Sequence, residues 1–162
     1  MAEEQQVIKV SINKQSIFKF KDFYDFYYNL VTSLGFDIFE DTFFRKGDNT
    51  AFEWTCTKDV DDYTKYKIWS KCKVLKAKTV KVKREGIPET MEKADVSVVA
   101  KGKIVTDWQN RWGANPLTKF LKGLFDKYLL KSTFDSRKKE IIGIVNLIEN
   151  ELKSFFDLPR FM

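Results

Sequence analysis

The sequence predicts an α+β fold in which a curved antiparallel sheet packs on a long C-terminal helix. The prediction depends on the order of segments: a strand and a helix come first, and about five strand-like segments of alternating polarity follow. About forty residues of helical periodicity then end the chain. Because no repeat and no linker rich in Pro or Gly interrupts this order, residues 1–162 are interpreted as a single domain.

The N-terminal part of the chain predicts one strand and one helix. Residues 7–12 are short and rich in β-branched side chains, which is typical of a strand. From Phe20 to Leu34 apolar residues recur at helical spacing, and Gly35 follows as a stop signal. This part therefore supplies the first strand and the first helix of the fold.

A β-hairpin is predicted next, from two aromatic-rich segments at residues 36–45 and 51–57. The residues between them, 46–49, are Lys-Gly-Asp-Asn, which favour a turn. The two cysteines, Cys56 and Cys72, lie in separate predicted strands without metal-site spacing, so we expect buried free thiols.

The basic excess of the chain is confined to residues 64–84. The net charge is +6, and this segment holds nine lysines and arginines without any acid. Apolar and cationic residues alternate along it, and a turn at residues 75–78 is expected to fold it into a lysine-coated hairpin. Alternate lysines can follow a phosphate backbone while an aromatic ring stacks on a base. The candidate nucleic-acid-binding residues are therefore Lys65, Lys67, Trp69, Lys71, Lys73, Lys81 and Lys83.

The C-terminal half predicts a long strand followed by helix. Residues 94–108 alternate as a strand, with Gly102 on the apolar side marking a bulge or a close approach of another element. Asn115 and Pro116 form a typical helix start. The helical residues after them form either one kinked helix or two helices in succession.

The chain contains no histidine. Ser-His-Asp and Cys-His catalysis and the commonest transition-metal ligand are therefore excluded. No metal or cofactor is predicted, because the acidic run at residues 59–62 lacks the glycine and distal glutamate of a calcium loop and is interpreted as a turn. Without an export signal or a spanning segment, a cytoplasmic location is expected.

The segments follow the element order of the helix-grip fold of START and polyketide-cyclase-like proteins, in which a curved sheet wraps a long C-terminal helix. In local detail the chain resembles a family of short archaeal proteins of unknown function. The residues that carry this likeness are Trp54, Asp61-Asp62-Tyr63, Asp107-Trp108, Trp112 and the stretch from Phe120-Leu121 to Asp126-Lys127-Tyr128. The helix-grip resemblance implies an apolar ligand cavity between sheet and helix, and the archaeal family supplies no catalytic residues.

The main functional hypothesis is a non-enzymatic binding domain for an apolar small molecule or a protein partner, in a cleft between sheet and C-terminal helix. The residues expected to line this cavity are Phe36, Phe52, Trp54, Trp108, Trp112 and Phe120. Ordinary core packing is the alternative interpretation of the same aromatic residues. The alternative function is an RNA-binding or ribosome-associated accessory protein that uses the basic segment. An enzyme using carboxylate, tyrosine or lysine chemistry is the third hypothesis.

Overall fold

The computed structural model describes residues 2–109, 115–125, 127 and 131–157. The described part of the chain forms five strands and three helices. In chain order they are β1 (Glu3–Phe18), α1 (Phe20–Ser33), β2 (Asp37–Lys46), β3 (Asn49–Asp59), β4 (Thr64–Arg84), β5 (Ile87–Thr106), α2 (Pro116–Leu124) and α3 (Lys131–Asp157).

The five strands form one antiparallel sheet in the order β1-β5-β4-β3-β2. Strands β2, β3 and β4 each pair with the next strand in the chain, and β5 also pairs with β1. Strands β1 and β2 therefore lie at opposite edges. The predicted α+β class, a curved antiparallel sheet with a long C-terminal helix, is confirmed.

Helices α1 and α3 pack on one face of the sheet, which we call the inner face. The buried residues of α1 are Phe23, Tyr27 and Val31, one turn apart. The Tyr27 hydroxyl is 2.6 Å from Oγ of Ser70, an inward-facing residue of β4. Helix α3 buries a stripe formed by Ile141, Val145, Ile148, Leu152, Phe155 and Phe156. None of the helices in the described ranges has the length and hydropathy needed to cross a membrane.

The predicted hairpin within residues 64–84 is wrong. These residues form the single strand β4, which pairs with β3 on one side and with β5 on the other. At the expected turn the register with β5 shifts between Leu75 and Lys78, and Lys76 has a positive φ of 56°. Backbone N–H groups in this bulge donate to the side chain of Asn49 and the carbonyl of Asp48. A bulge changes the alternation of side chains as a turn does, so the pattern alone did not distinguish them.

Two local predictions from the sequence are confirmed. A Cβ atom built on Gly102 would lie 2.9 Å from side-chain atoms of Ile8 and Val145, so helix α3 and strand β1 both approach this glycine closely. The side chain of Asn115 accepts a hydrogen bond from the backbone N–H of Leu117, with Pro116 at the first position of α2.

Cys56 and Cys72 are buried free thiols, as predicted. Burial raises the pKa of the Cys56 thiol to about 12 and also raises the pKa of Cys72. Because the thiolate is the reactive form, these shifts disfavour a nucleophilic role for either side chain at neutral pH.

Candidate functional site

A cleft of about 1010 Å³ lies at one end of the sheet, between the strand ends, α2 and the first turns of α3. Its walls come from the start of β1, the connection between β3 and β4, the end of β5 and both C-terminal helices. The lining residues are Glu3, Glu4, Gln5, Asp61, Asp62, Tyr63, Thr64, Ile104, Thr106, Gly123, Phe125, Lys127, Thr133, Phe134 and Arg137.

Aromatic rings form much of the apolar wall. The rings of Tyr63 and Phe125 meet edge to face with their centroids 5.9 Å apart, which joins the β3–β4 connection to the end of α2. Phe134 lies in the first turns of α3, and the buried Ile104 contributes from β5. An apolar molecule in this cleft would therefore contact rings from three separate parts of the chain.

Asp61 organises the turn that carries Tyr63 into the cleft. Its Oδ1 accepts hydrogen bonds from the backbone N–H groups of Tyr63 at 2.8 Å and Thr64 at 2.7 Å. Its backbone carbonyl accepts a hydrogen bond from the indole N–H of Trp108 at 2.9 Å. The turn predicted for the acidic run is therefore confirmed, with Asp61 as its hydrogen-bonding residue.

Arg137 provides a cation in the wall of the cleft. Its Nη2 is 3.6 Å from Oδ2 of Asp61, and its Nη1 is 3.4 Å from Oε2 of Glu140. The same Glu140 oxygen accepts a hydrogen bond from the hydroxyl of Tyr66 at 2.8 Å. Burial, assisted by this hydrogen bond, raises the pKa of Tyr66 well above its usual value. These contacts hold the guanidinium in place and tie α3 to β4.

Lys122, on α2 beside the cleft, has an almost fully buried side chain. Its Nζ is 3.2 Å from Oε2 of Glu3 and 3.3 Å from the hydroxyl of Thr106. The ammonium also lies 5.7 Å from the centroid of the Tyr63 ring. A buried charge needs such partners, so this lysine fixes α2 against β1 and β5.

The described residues among those predicted to line a cavity lie in three different environments. Phe36, Phe52 and Trp54 are buried in the core, and Phe120 is exposed on α2. Trp108 is half-buried just beyond β5, with Nζ of Lys65 4.5 Å from its ring centroid. Trp112 lies outside the described residues. The lining of the cleft includes none of the five described residues in this set: Phe36, Phe52, Trp54, Trp108 and Phe120.

Most of the predicted nucleic-acid-binding lysines lie on the outer face of the sheet, opposite the helices. Three of them have carboxylate partners: the Nζ–O distances are 3.3 Å for Lys65 with Asp59, 2.7 Å for Lys67 with Glu4 and 3.2 Å for Lys71 with Glu53. Lys73 is exposed. Lys81 and Lys83 lie beyond the bulge, where β4 pairs with β5 alone. The bulge therefore separates the predicted basic residues into two groups.

Trp69 lies on the outer face at the centre of the lysines. Lys101 of β5 is its neighbour in register, and Nζ of Lys101 is 4.9 Å from the ring centroid. Lys9 of β1 pairs in turn with Lys101, so two lysines and one indole form a row across three strands. Sequence alternation placed Trp69 on this face, but the pairing partners from β1 and β5 are set by the sheet order.

Comparisons with known proteins do not assign the chain to a family. A scan of family models, a search of curated proteins and a search of solved structures each find no match to the chain. The likeness to an archaeal family and to the helix-grip element order therefore stays a prediction.

Proposed function

We propose that the protein is a cytoplasmic, non-enzymatic binding domain that holds an apolar small molecule in the cleft between the sheet end and the C-terminal helices. The observation that carries the proposal is the cleft of about 1010 Å³ with walls formed by Tyr63, Ile104, Phe125 and Phe134. A concave site of this size with apolar walls and a few polar groups is typical of small-molecule sites.

The charges around the cleft support an apolar rather than an ionic ligand. Glu3 is paired with Lys122, Glu4 with Lys67, and Asp61 with Arg137. Because these carboxylates already have cationic partners, the aromatic rings provide most of the remaining capacity for binding. The described residues that line the cleft include no histidine and no cysteine, which supports binding over nucleophilic catalysis.

Filling the cleft at Gly123 should weaken binding of an apolar probe. Gly123 lies in α2 and lines the cleft, and a Cβ built on it meets no atom within 4 Å apart from its chain neighbours and the backbone of its own helix. The Gly123→Trp variant should therefore fold, since a helical glycine is the less favourable residue by up to about 1 kcal/mol. We expect it to bind N-phenyl-1-naphthylamine at least about tenfold more weakly than the wild type, a loss of about 1.4 kcal/mol, in a fluorescence titration.

Gly143 provides the matched control for this titration. It lies on α3, is exposed, and is equally free of atoms around a built Cβ. Gly143 is not among the residues that line the cleft. Gly143→Trp should bind the probe as the wild type does. Absence of probe binding to the wild type, or equal affinity in both variants, would contradict the proposed site.

A second candidate function, binding of single-stranded RNA on the outer face, is favoured by the row of Lys9, Lys101 and Trp69. A ring that lies among lysines can stack on a base while the lysines contact phosphates. The carboxylate partners of Lys65, Lys67 and Lys71 reduce the positive field of this face. The lysines that would carry such binding are therefore Lys9, Lys73 and Lys101 rather than the whole basic segment.

Reversing three charges on the outer face should abolish RNA binding if this second function holds. We expect wild-type affinity for oligouridylate to fall steeply with added salt, and the combined Lys9→Glu, Lys73→Glu and Lys101→Glu variant to show no measurable binding. The control reverses Lys21, Lys131 and Lys139, which are exposed on the helices and give the same change in net charge. Equal loss in both triple variants would show nonspecific attraction and overturn the proposal for this face.

A further inference from the structure

Strand β2 leaves one edge of the sheet without a strand partner in the described part of the chain. Nine of its ten residues are exposed. Three of them are phenylalanines: Phe39 is 61% exposed, Phe43 47% and Phe44 55%. An exposed edge strand presents unpaired backbone N–H and C=O groups, and apolar side chains on it favour pairing with another strand.

The charges of β2 are divided between its two halves. Asp37, Glu40 and Asp41 lie in the first half, whereas Arg45 and Lys46 end the strand. An antiparallel copy of the same strand therefore places its basic half opposite the acidic half of the first. A strand with this charge distribution is complementary to an antiparallel copy of itself. A two-fold axis at the centre of the strand pair then gives two equivalent sets of opposite charges.

The faces of β2 select one register for this pairing. A bulge between Glu40 and Thr42 changes the alternation, so Phe39 and Phe44 both lie on the outer face although they are five positions apart. Directly opposed residues of an antiparallel pair must share a face. When Asp41 is placed opposite Thr42 of the second copy, Phe39 lies opposite Phe44 and Asp37 opposite Lys46.

Side-chain contacts within the chain confirm the faces that Asp41 and Glu40 occupy. Asp41 accepts a hydrogen bond from the outward-facing Thr55 at 2.6 Å. Glu40 lies on the inner face, where it accepts hydrogen bonds from Tyr24 at 2.5 Å and from the indole of Trp54 at 3.1 Å. The same register places this inner carboxylate diagonal to Arg45 of the second copy, which is also on the inner face.

We propose that two copies of the chain pair antiparallel through β2 and join their five-stranded sheets into one continuous sheet. The interface contains two Phe39–Phe44 contacts and two Asp37–Lys46 ion pairs, related by the two-fold axis. The inference is independent of the proposed ligand cleft, because the cleft is lined from β1 at the opposite edge of the sheet.

A charge exchange within β2 tests the dimer and its orientation together. We expect sedimentation velocity of the wild type at about 100 μM to give twice the chain mass of 19.1 kDa. Asp37→Lys and Lys46→Asp should each weaken association about tenfold or more, because each places like charges opposite one another. The double variant restores opposite charges and should regain dimerisation. A wild-type monomer at this concentration, or single variants that associate as the wild type does, would overturn the proposal.

Disulfide trapping tests the register. In the double variant Phe39→Cys and Phe44→Cys, each new cysteine lies opposite its counterpart in the second copy, so oxidation should give a covalent dimer on a non-reducing gel. Phe39→Cys alone is the matched control, since residue 39 is five positions from its own symmetry mate and should not crosslink. The native cysteines are buried and do not interfere. Equal crosslinking in both variants, or none in either, would contradict this register.

Discussion

Trp54→Ala is expected to lower the free energy of unfolding by about 3–5 kcal/mol, the usual range for removing a large aromatic side chain from a core. The Trp54 side chain is fully buried, and its ring centroid is 4.9 Å from that of Tyr27 and 5.0 Å from that of Phe52. Its indole N–H also donates to Glu40. Truncation therefore leaves a cavity and removes a hydrogen-bond donor from a carboxylate.

Urea unfolding followed by circular dichroism measures this loss, provided that the wild type and variant unfold in one transition of equal slope. Phe120→Ala is the control, because Phe120 is 64% exposed on α2 and its removal should change stability by less than about 0.5 kcal/mol. The sequence placed both residues in the same cavity wall. A loss below about 1 kcal/mol for Trp54→Ala would contradict its position in a filled core.

The sequence predicted the class of each element well because local alternation reports which side chains face the core. Phe52, Trp54 and Cys56 share a face in the sequence pattern and are all buried in β3. The same pattern does not show whether the space that these side chains face is filled by other side chains or is an open cavity. The rings of α1 and β3 meet edge to face, as Tyr24 and Tyr27 do with Trp54, so other side chains fill the space beside this predicted cavity-lining residue.

The cleft could not be predicted from the sequence because its walls are distant in the chain. Glu3, Tyr63, Phe125 and Arg137 come together only after β1 pairs with β5 and α3 packs across the sheet. The sequence signal for the cleft was the Asp61-Asp62-Tyr63 turn. An aspartate that accepts backbone hydrogen bonds in a turn fixes the backbone that positions Tyr63. The predicted hairpin within residues 64–84 was wrong for a related reason: β4 pairs with β3 and β5 instead of folding on itself, and the turn to β5 comes only at residues 85–86.

The close contact of three elements at Gly102 gives the second large expected effect. A Cβ at this position would lie 2.9 Å from Cγ2 of Ile8, 2.9 Å from Cγ2 of Val145 and 3.2 Å from Cγ1 of Ile141. Gly102→Val should lower the free energy of unfolding by about 1–3 kcal/mol, the range seen when a packed core is overfilled. Valine is the more favourable strand residue, so its intrinsic propensity opposes this loss and the destabilisation has to come from packing.

A double-mutant cycle assigns the Gly102 effect to the contact between β5 and α3. Gly102→Ala adds only the Cβ atom, and Val145→Ala removes one of the two methyl carbons that this atom would meet at 2.9 Å. The free energies of unfolding should therefore be coupled: the double variant is expected to be more stable than the sum of the single losses by about 0.5 kcal/mol or more. Losses that add within about 0.3 kcal/mol would show that α3 does not press on the sheet at this glycine. The aromatic contacts near the C-terminal end of α3 would then be the main contacts that position the helix. There the ring centroid of Phe156 lies 5.2 Å from that of Phe23.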